Sequence, residues 1–138
     1  MAVAKVRWRV EVLPKPNEEG NMDLVDNCLF CKAVRGALPI QKLYEDEAVL
    51  GFADVHPQAP LHALFIPKRH IATTDALLEA DSLLVGRLAW AAAVVARERG
   101  HADNGYRLVF NCNAYGGQTV FHLHLHLLAG RPLAWPPG

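Results

Sequence analysis

The chain has 138 residues, of which 51% are hydrophobic and 20% charged, and its formal net charge is zero. This length and composition suit one globular domain with a substantial core. The charge balance offers no basic surface for nucleic acid, and no apolar run approaches the roughly 20 residues of a membrane helix. With no secretory signal and three cysteines only, we expect a cytoplasmic protein without nucleic-acid or membrane partners.

The first 22 residues form an N-terminal extension to a main domain over residues 23–138. Apolar and charged residues alternate over residues 6–12, which predicts a strand. A segment rich in proline and glycine follows and is typical of a turn or linker. The extension is therefore either an extra strand on a sheet edge or partner, or a mobile arm, and its role stays open.

The main domain is predicted to contain two helices and five short strands, which favours an α+β fold with a mostly antiparallel sheet. A short helix is expected over residues 28–35, capped by Asp26 or Asn27. A long helix with one apolar face is expected from Asp81 to Gly100. The strands are expected at residues 41–44, 48–53, 63–66, 107–110 and 122–128.

The most informative stretch is residues 116–128, where histidine and leucine alternate from His122 to Leu127. Alternate side chains of a strand point to opposite faces, so three imidazoles share one face and three leucines the other. The outer imidazoles lie roughly 13 Å apart along such a strand, too far for one metal ion to bind all three. A phosphate fits better, because the Gly116-Gly117 turn can expose anion-binding N–H groups and a neutral imidazole is a nucleophile.

These residues resemble the signature of the histidine triad (HIT) family, in which three histidines alternate with apolar residues and two more apolar residues follow. The resemblance covers residues 27–138. The ending from Trp135 to Gly138 is similar to that of the nucleotide-binding branch, whose members act as purine nucleoside phosphoramidases. It implies the HIT fold: a five-stranded sheet, one short and one long helix, and a homodimer that joins two sheets, with the Trp135 tail near the partner subunit.

The resemblance implies a hydrolase that cleaves the phosphorus–nitrogen bond of nucleoside 5′-phosphoramidates and releases AMP or GMP. His124 would attack the α-phosphorus and form a covalent nucleotidyl-histidine, with His126, His62 and Thr119 as further catalytic residues. No cofactor would be required for catalysis. The residues implied to bind the nucleotide enclose the purine, accept from the ribose or hold the phosphate: Leu29, Phe30, Leu38, Phe52, Asp54, Val55, Asn111, Gly117, Gln118, Thr119, His124 and His126.

Several of these residues also have plainer interpretations. A carboxylate suits the two ribose hydroxyls, but Asp54 could instead cap a turn. His62 could be a structural histidine, and the apolar residues could belong to the core. The role of His56, the leaving group, the choice between adenine and guanine, and any protein partners stay open.

Cys28 and Cys31 form a CxxC motif that has three interpretations. A redox pair needs this motif between a strand and a helix, and residues 22–27 make a poor strand. A structural zinc site needs four ligands, and some HIT proteins complete such a site with histidines that match His70 and His122. The resemblance thus implies Cys28, Cys31, His70 and His122 as zinc ligands, with two buried free thiols as the alternative. Cys112 is expected to be a lone thiol.

Two other functions remain as alternatives. One is a dinucleoside polyphosphate hydrolase of the same superfamily, which the ending of the chain disfavours. The other is a nucleotide-binding interaction or regulatory module whose catalysis is residual. The purine nucleotide is the ligand in all three cases.

Overall fold

The computed structural model describes residues 24–138 and contains one antiparallel sheet of five strands in the order β1-β2-β3-β5-β4. The strands are β1 (Lys42–Glu45), β2 (Val49–Ala53), β3 (Leu61–Pro67), β4 (Tyr106–Phe110) and β5 (Leu125–Ala129). The helices are α1 (Leu29–Val34), α2 (Ser82–Glu98) and α3 (Asn113–Gly116), with single 3₁₀ turns at Thr74–Ala76 and Glu79–Asp81. The predicted α+β fold is confirmed. The extension over residues 1–22, with its predicted strand, lies outside the described residues.

The long helix α2 covers one face of the sheet, and this layer holds the larger part of the core. The predicted apolar face of the helix is confirmed, since Leu84, Leu88, Ala91, Ala92 and Val95 are all buried there. The leucines of the alternating stretch join the same cluster: Leu123, Leu125 and Leu127.

The short helix α1 covers part of the opposite face. Phe30 and Ala33 pack on Leu50, Phe52 and other apolar side chains that β2 and β3 present on this side. The rings of His122 and His124 contact Phe30 edge-on, so the histidines lie on this face and the leucines on the other. The two-faced prediction for the alternating stretch is therefore confirmed.

The strand ladder of β5 is shorter than predicted. It begins at Leu125, which pairs with Phe65 of β3, and not at His122. Further along β3 lies Pro67, which has no N–H to donate to a ladder. The amide of Leu123 instead donates to the carbonyl of Ile71 at 2.6 Å. His122 and His124 thus belong to an extended segment just before the strand.

The caps of α1 also differ from the prediction. The N-cap is Cys28, whose thiol accepts from the amide of Cys31 at 3.4 Å. Asp26, predicted as a cap, instead pairs with the guanidinium of Arg35 at 3.2 Å. The turn helix α3 was not predicted; it ends at Gly117, whose φ of 78° suits glycine. Across residues 24–138, no helix has the length and apolarity needed to cross a membrane.

Candidate functional site

The backbone fixes the tautomer of His124. Its Nδ1 lies 2.7 Å from the carbonyl oxygen of His122. A carbonyl only accepts, so in the neutral ring Nδ1 carries the proton and Nε2 keeps its lone pair. A lone pair on Nε2 is what a nucleophilic imidazole requires.

His124 is a buried residue, with 7% of its surface exposed. Within residues 24–138, the Nε of Arg87 is the one fully buried side-chain nitrogen or oxygen without a hydrogen-bond partner. The Nε2 of His124 has no partner in that part of the chain either. No hydrogen bond from residues 24–138 therefore occupies the lone pair of this nitrogen.

His62 and His126 form a hydrogen-bonded pair next to His124. The amide of Gln58 donates to Nδ1 of His62 at 3.0 Å, so Nε2 of the neutral His62 ring carries the proton. That Nε2 lies 2.9 Å from Nδ1 of His126, which must accept. Nε2 of His126 consequently carries a proton, and no group within residues 24–138 accepts a hydrogen bond from it. The rings of His124 and His126 are 5.0 Å apart between centroids.

Burial keeps these two rings neutral. It lowers the pKa of His126 to about 4, and the nearby imidazoles of His124 and His62 act in the same direction. Burial also lowers the pKa of His62, against the opposing charge of Asp54. The order of donors and acceptors from Gln58 to His126 therefore holds at neutral pH.

Asp54 uses one of its two oxygens to cap its own turn. Oδ1 accepts from the amide of His56 at 2.8 Å, and Oδ2 lies 3.4 Å from Nε2 of His62. The turn-cap interpretation thus holds for one oxygen, while the other faces the histidine pair. The exposed His56 contributes its amide to this turn.

The apolar residues predicted around the purine divide into two groups. Phe30 and Phe52 are buried and meet edge-to-face with centroids 5.5 Å apart, and Leu38 packs against the same cluster. Leu29 and Val55 are exposed. The core interpretation therefore describes Phe30, Phe52 and Leu38, and the ring of Phe30 also lies 5.2 Å from that of His124.

The glycine-rich turn supplies fewer free donors than predicted. The amides of Gly117 and Gln118 donate to carbonyls of Ala114 and Asn113, which closes α3. The Gln118 side chain is buried and donates to the carbonyls of Ala72 and Val120, while its oxygen accepts from the amide of Asn113. These donors are occupied inside the fold in this conformation, and the contact of Gly117 and Gln118 with a phosphate stays a prediction.

Two other residues predicted near the phosphate keep free polar groups. Thr119 is an exposed residue, and Asn111 is partly buried. Neither has a hydrogen-bond partner within residues 24–138, and neither is fully buried without one. Both can still donate to a ligand.

The four residues implied as metal ligands come together in one cluster of Cys28, Cys31, His70 and His122. Nδ1 of His122 lies 3.4 Å from each cysteine sulfur and 3.2 Å from Nδ1 of His70. Zinc bonds of about 2.0–2.3 Å in a tetrahedron place ligand atoms roughly 3.3–3.8 Å apart, which these distances approach.

The donor set of this cluster also suits a cation. Nε2 of His122 donates to the carbonyl of Pro67 at 2.8 Å, which leaves the lone pair of Nδ1 directed at the cysteines. Burial raises the pKa of Cys31 to about 11. The thiol keeps its proton at neutral pH until a bound cation displaces it. The cluster fits zinc better than a redox pair, because Nδ1 of His122 lies within 3.4 Å of both sulfurs and Nδ1 of His70 lies 3.3 Å from the sulfur of Cys31.

Two backbone contributors, and the ring contacts of Phe30 with the histidines, were not predicted from the sequence. The amide of Gln58 and the carbonyl of Pro67 fix imidazole tautomers, and backbone groups leave no signal in the sequence. Phe30 contacts the rings of both His122 and His124. Cys112, predicted as a lone thiol, lies 3.0 Å from the hydroxyl of Thr73. It belongs neither to the cluster of Cys28, Cys31, His70 and His122 nor to the group of Asp54, His62 and His126.

The sequence and the fold of the chain are similar to those of known proteins. A family model described as HIT domain matches residues 35–133. The chain is 41% identical over 110 residues to the purine nucleoside phosphoramidase of Escherichia coli K12, covering 80% of this chain and 92% of that protein. The crystal structure of a HIT family hydrolase from Legionella pneumophila has a TM-score of 0.80 and 50% identity, over 81% of this chain and all of that one. A Zn-bound histidine triad family protein from Mycobacterium smegmatis has a TM-score of 0.67 and 33% identity, over 76% of each chain.

Proposed function

The chain belongs to the HIT family, and from that premise we propose that it hydrolyses purine nucleoside 5′-phosphoramidates to AMP or GMP and an amine. The similarity to the phosphoramidase of E. coli supports this choice of substrate. The observation that carries the proposal is the fixed tautomer of His124. Its Nδ1 proton is held by the carbonyl of His122, and its free Nε2 stands beside the proton donor of His126.

In the first step, Nε2 of His124 attacks the α-phosphorus and a new nitrogen–phosphorus bond forms. The bond from phosphorus to the amine breaks, and the amine takes a proton through the hydroxyl of Thr119, which solvent resupplies. The imidazole becomes cationic, and the carbonyl of His122 stabilises it through the Nδ1 proton. Nε2–H of His126 donates to a phosphate oxygen as negative charge builds.

In the second step, water attacks the same phosphorus and releases the nucleoside monophosphate. The bond to Nε2 of His124 breaks, and the ring returns to its neutral form with Nδ1 still protonated. The proton of the attacking water passes to solvent. Two displacements with a good leaving group replace one difficult displacement.

The nucleotide would be held by groups on the same face of the sheet. The oxygen of Asp54 that does not cap the turn accepts from the ribose, and the side-chain amide of Asn111 donates to the phosphate. Leu29 and Val55 offer exposed apolar surface to the purine. Phe30 and Phe52 belong to the buried apolar cluster beneath α1.

Zinc would bind to Cys28, Cys31, His70 and His122, where it supplies a cross-link between distant parts of the chain and no part of the reaction. The distances within the cluster and the Zn-bound relative from M. smegmatis support this ion. The ligands come from the N-cap and first turn of α1, from the loop after β3 and from the segment before β5. One ion would thus tie together three segments that lie far apart in sequence.

The same proposal includes a homodimer. Strand β4 is an edge of the sheet, and Tyr106 and Leu108 on it are partly exposed. Trp135, in the tail that Arg107 anchors through the carbonyl of Ala134, is 82% exposed. Unpaired strand edges and exposed apolar side chains favour pairing with a second copy.

The test of the catalytic proposal is the change His124→Ala. We expect kcat/KM for adenosine 5′-phosphoramidate to fall by at least roughly 10³, because the nucleophile is lost. Mass spectrometry of quenched wild-type turnover should show a nucleotidyl adduct on the peptide containing residue 124. The matched control is His101→Ala. His101 is a partly buried histidine that belongs neither to the metal-ligand cluster nor to the group of Asp54, His62 and His126, so this variant should keep its activity.

A comparison of substrates separates the proposed activity from its alternatives. Faster hydrolysis of diadenosine polyphosphate than of the phosphoramidate would favour the dinucleoside polyphosphate hydrolase. Hydrolysis by His124→Ala at the wild-type rate would disprove attack by this imidazole. Normal AMP binding with negligible wild-type turnover would favour the regulatory module.

A further inference from the structure

The implied metal cluster and the proposed nucleophile are joined by direct contacts. His122 belongs to the cluster through its ring, while its carbonyl accepts the Nδ1 proton of His124. Phe30 provides the second connection. Its ring lies 6.1 Å from that of His122 and 5.2 Å from that of His124, nearly perpendicular to the latter.

Phe30 also sits between the two cysteines in sequence. It is the second residue of α1, and Cys28 and Cys31 are the cap and the third residue. A cation that binds both sulfurs therefore fixes the one helical turn that carries this ring. On its inner side the ring meets that of Phe52, with centroids 5.5 Å apart. It therefore cannot move without disturbing the small core, which is the apolar cluster between α1 and the sheet.

The helix α1 has little stability of its own. It has six residues, and isolated helices shorter than about 12–15 residues are marginal in water. Its placement depends on the apolar contacts of Phe30 and Ala33 and on the two thiols. Removal of a cation would leave the apolar contacts alone to hold the helix against the sheet.

We propose that a metal ion in the cluster raises the affinity of the neighbouring site for a purine nucleoside monophosphate, with Phe30 as the positioning residue that connects them. The inference rests on the proposed function for the identity of the ligand. The two states are α1 docked, with Phe30 against His124, and α1 loosened. The metal favours the docked state because all four ligands meet only there, and the nucleotide favours it because the ring of His124 is then supported.

Linkage makes the effect reciprocal. If zinc tightens AMP binding by a given factor, AMP must tighten zinc binding by the same factor. Couplings of this kind are typically about 5–150-fold. A metal that only stabilised the fold would leave AMP affinity unchanged as long as the zinc-free chain stayed folded.

The experiment measures AMP binding by calorimetry with zinc-loaded and zinc-free full-length protein. We expect AMP to bind at least about 5-fold more tightly to the zinc-loaded form. Zinc affinity measured against a competing chelator should rise by the same factor in saturating AMP. Circular dichroism on the zinc-free protein verifies that it is folded.

Two variants locate the connection. Phe30→Leu keeps apolar volume in the small core but removes the aromatic ring beside His124. The ratio of AMP affinities between the zinc-loaded and zinc-free forms should therefore fall towards one. Phe52→Leu is the matched control: it removes a ring from the same cluster that has no ring contact with the histidines. It can change AMP affinity, but the ratio between zinc-loaded and zinc-free forms should persist.

Cobalt substitution provides a readout that does not require a folded metal-free chain. AMP should shift the absorption bands of cobalt-loaded wild type and of Phe52→Leu, and the shift should shrink in Phe30→Leu. Equal AMP affinities with and without zinc, or an unchanged cobalt shift in Phe30→Leu, would overturn the inference and leave the proposed function intact. Failure of the zinc-loaded wild type to bind AMP would overturn both.

Discussion

At the scale of single residues, backbone groups decide what each histidine can do. The carbonyl of His122 makes Nε2 of His124 the free nitrogen, and the amide of Gln58 makes His62 a donor towards His126. The carbonyl of Pro67 does the same for His122 on the metal side. Imidazoles that share one sheet face thereby acquire different chemistry.

These assignments could be predicted only in part from the sequence. The alternation of histidine and leucine predicted the shared face, and the family resemblance grouped His122 with His70 and the two cysteines. The direct partner of His62 is His126, whereas the resemblance implied a relay from His62 to His124. Gln118 was assigned to the phosphate because its amide can donate, and in this conformation that amide donates to the carbonyls of Ala72 and Val120. A side chain's competing partners are set by packing, which the sequence pattern does not specify.

Asp46 shows the same dependence on the backbone, with a consequence for stability. Its carboxylate accepts from the amides of Ala48 and Val49, from the hydroxyl of Tyr44 and from Arg87 of α2. Burial opposes its charge, but the hydrogen bonds from Tyr44, Ala48 and Arg87 outweigh it and lower the pKa of Asp46.

We expect Asp46→Ala to lower the free energy of unfolding by about 2–4 kcal/mol at pH 7, because four donors lose their acceptor. Since the pKa of Asp46 is lower in the folded chain than the unfolded value near 4, its stabilisation is present above that value. It is lost as the pH falls through the depressed pKa. Urea denaturation should therefore show the difference between wild type and variant shrinking from pH 7 to pH 3. Glu47→Ala, at the exposed neighbouring position, should change stability little, and a pH-independent difference for Asp46→Ala would contradict the argument.

At the scale of elements, the predicted strands and helices were found with shifted ends. The physical reasons are local: Pro67 lacks a ladder donor where β5 was expected to begin, and the thiol of Cys28 caps α1. The helix α3 has four residues, too few for a periodic pattern. Periodicity identifies elements that bury a face, and it cannot detect a single turn.

Two glycines provide a matched test of element packing. A Cβ on Gly51 of β2 would lie 2.6 Å from the buried ring of Phe65, whereas a Cβ on Gly86 of α2 would meet no atom within 4 Å. We expect Gly51→Ala to cost roughly 1–3 kcal/mol through overpacking. Gly86→Ala should instead stabilise by about 0.5–1 kcal/mol, because alanine favours a helix interior. Thermal denaturation measures both, and equal effects of the two changes would contradict this packing.

At the scale of the whole molecule, the sheet has two edges, β1 and β4. The homodimer stays a prediction, and β4 is the edge it concerns. We expect the protein to be dimeric at micromolar concentration and Leu108→Lys to shift it towards monomer, because the lysine places a charge on the paired edge. Leu78→Lys, at another exposed leucine, should leave the mass unchanged. Light scattering after gel filtration reports the mass, and a monomeric wild type would disprove the prediction.

The separation of the two sheet faces has a consequence for protein engineering. The thick apolar layer under α2 carries most of the core, and the imidazoles and thiols occupy the other side. Substitutions on the exposed side of α2, such as Gly86→Ala, could therefore raise the stability of the fold while the reactive side keeps its shape. Such a chain could serve as a heat-tolerant platform on which the reactive side is later diversified.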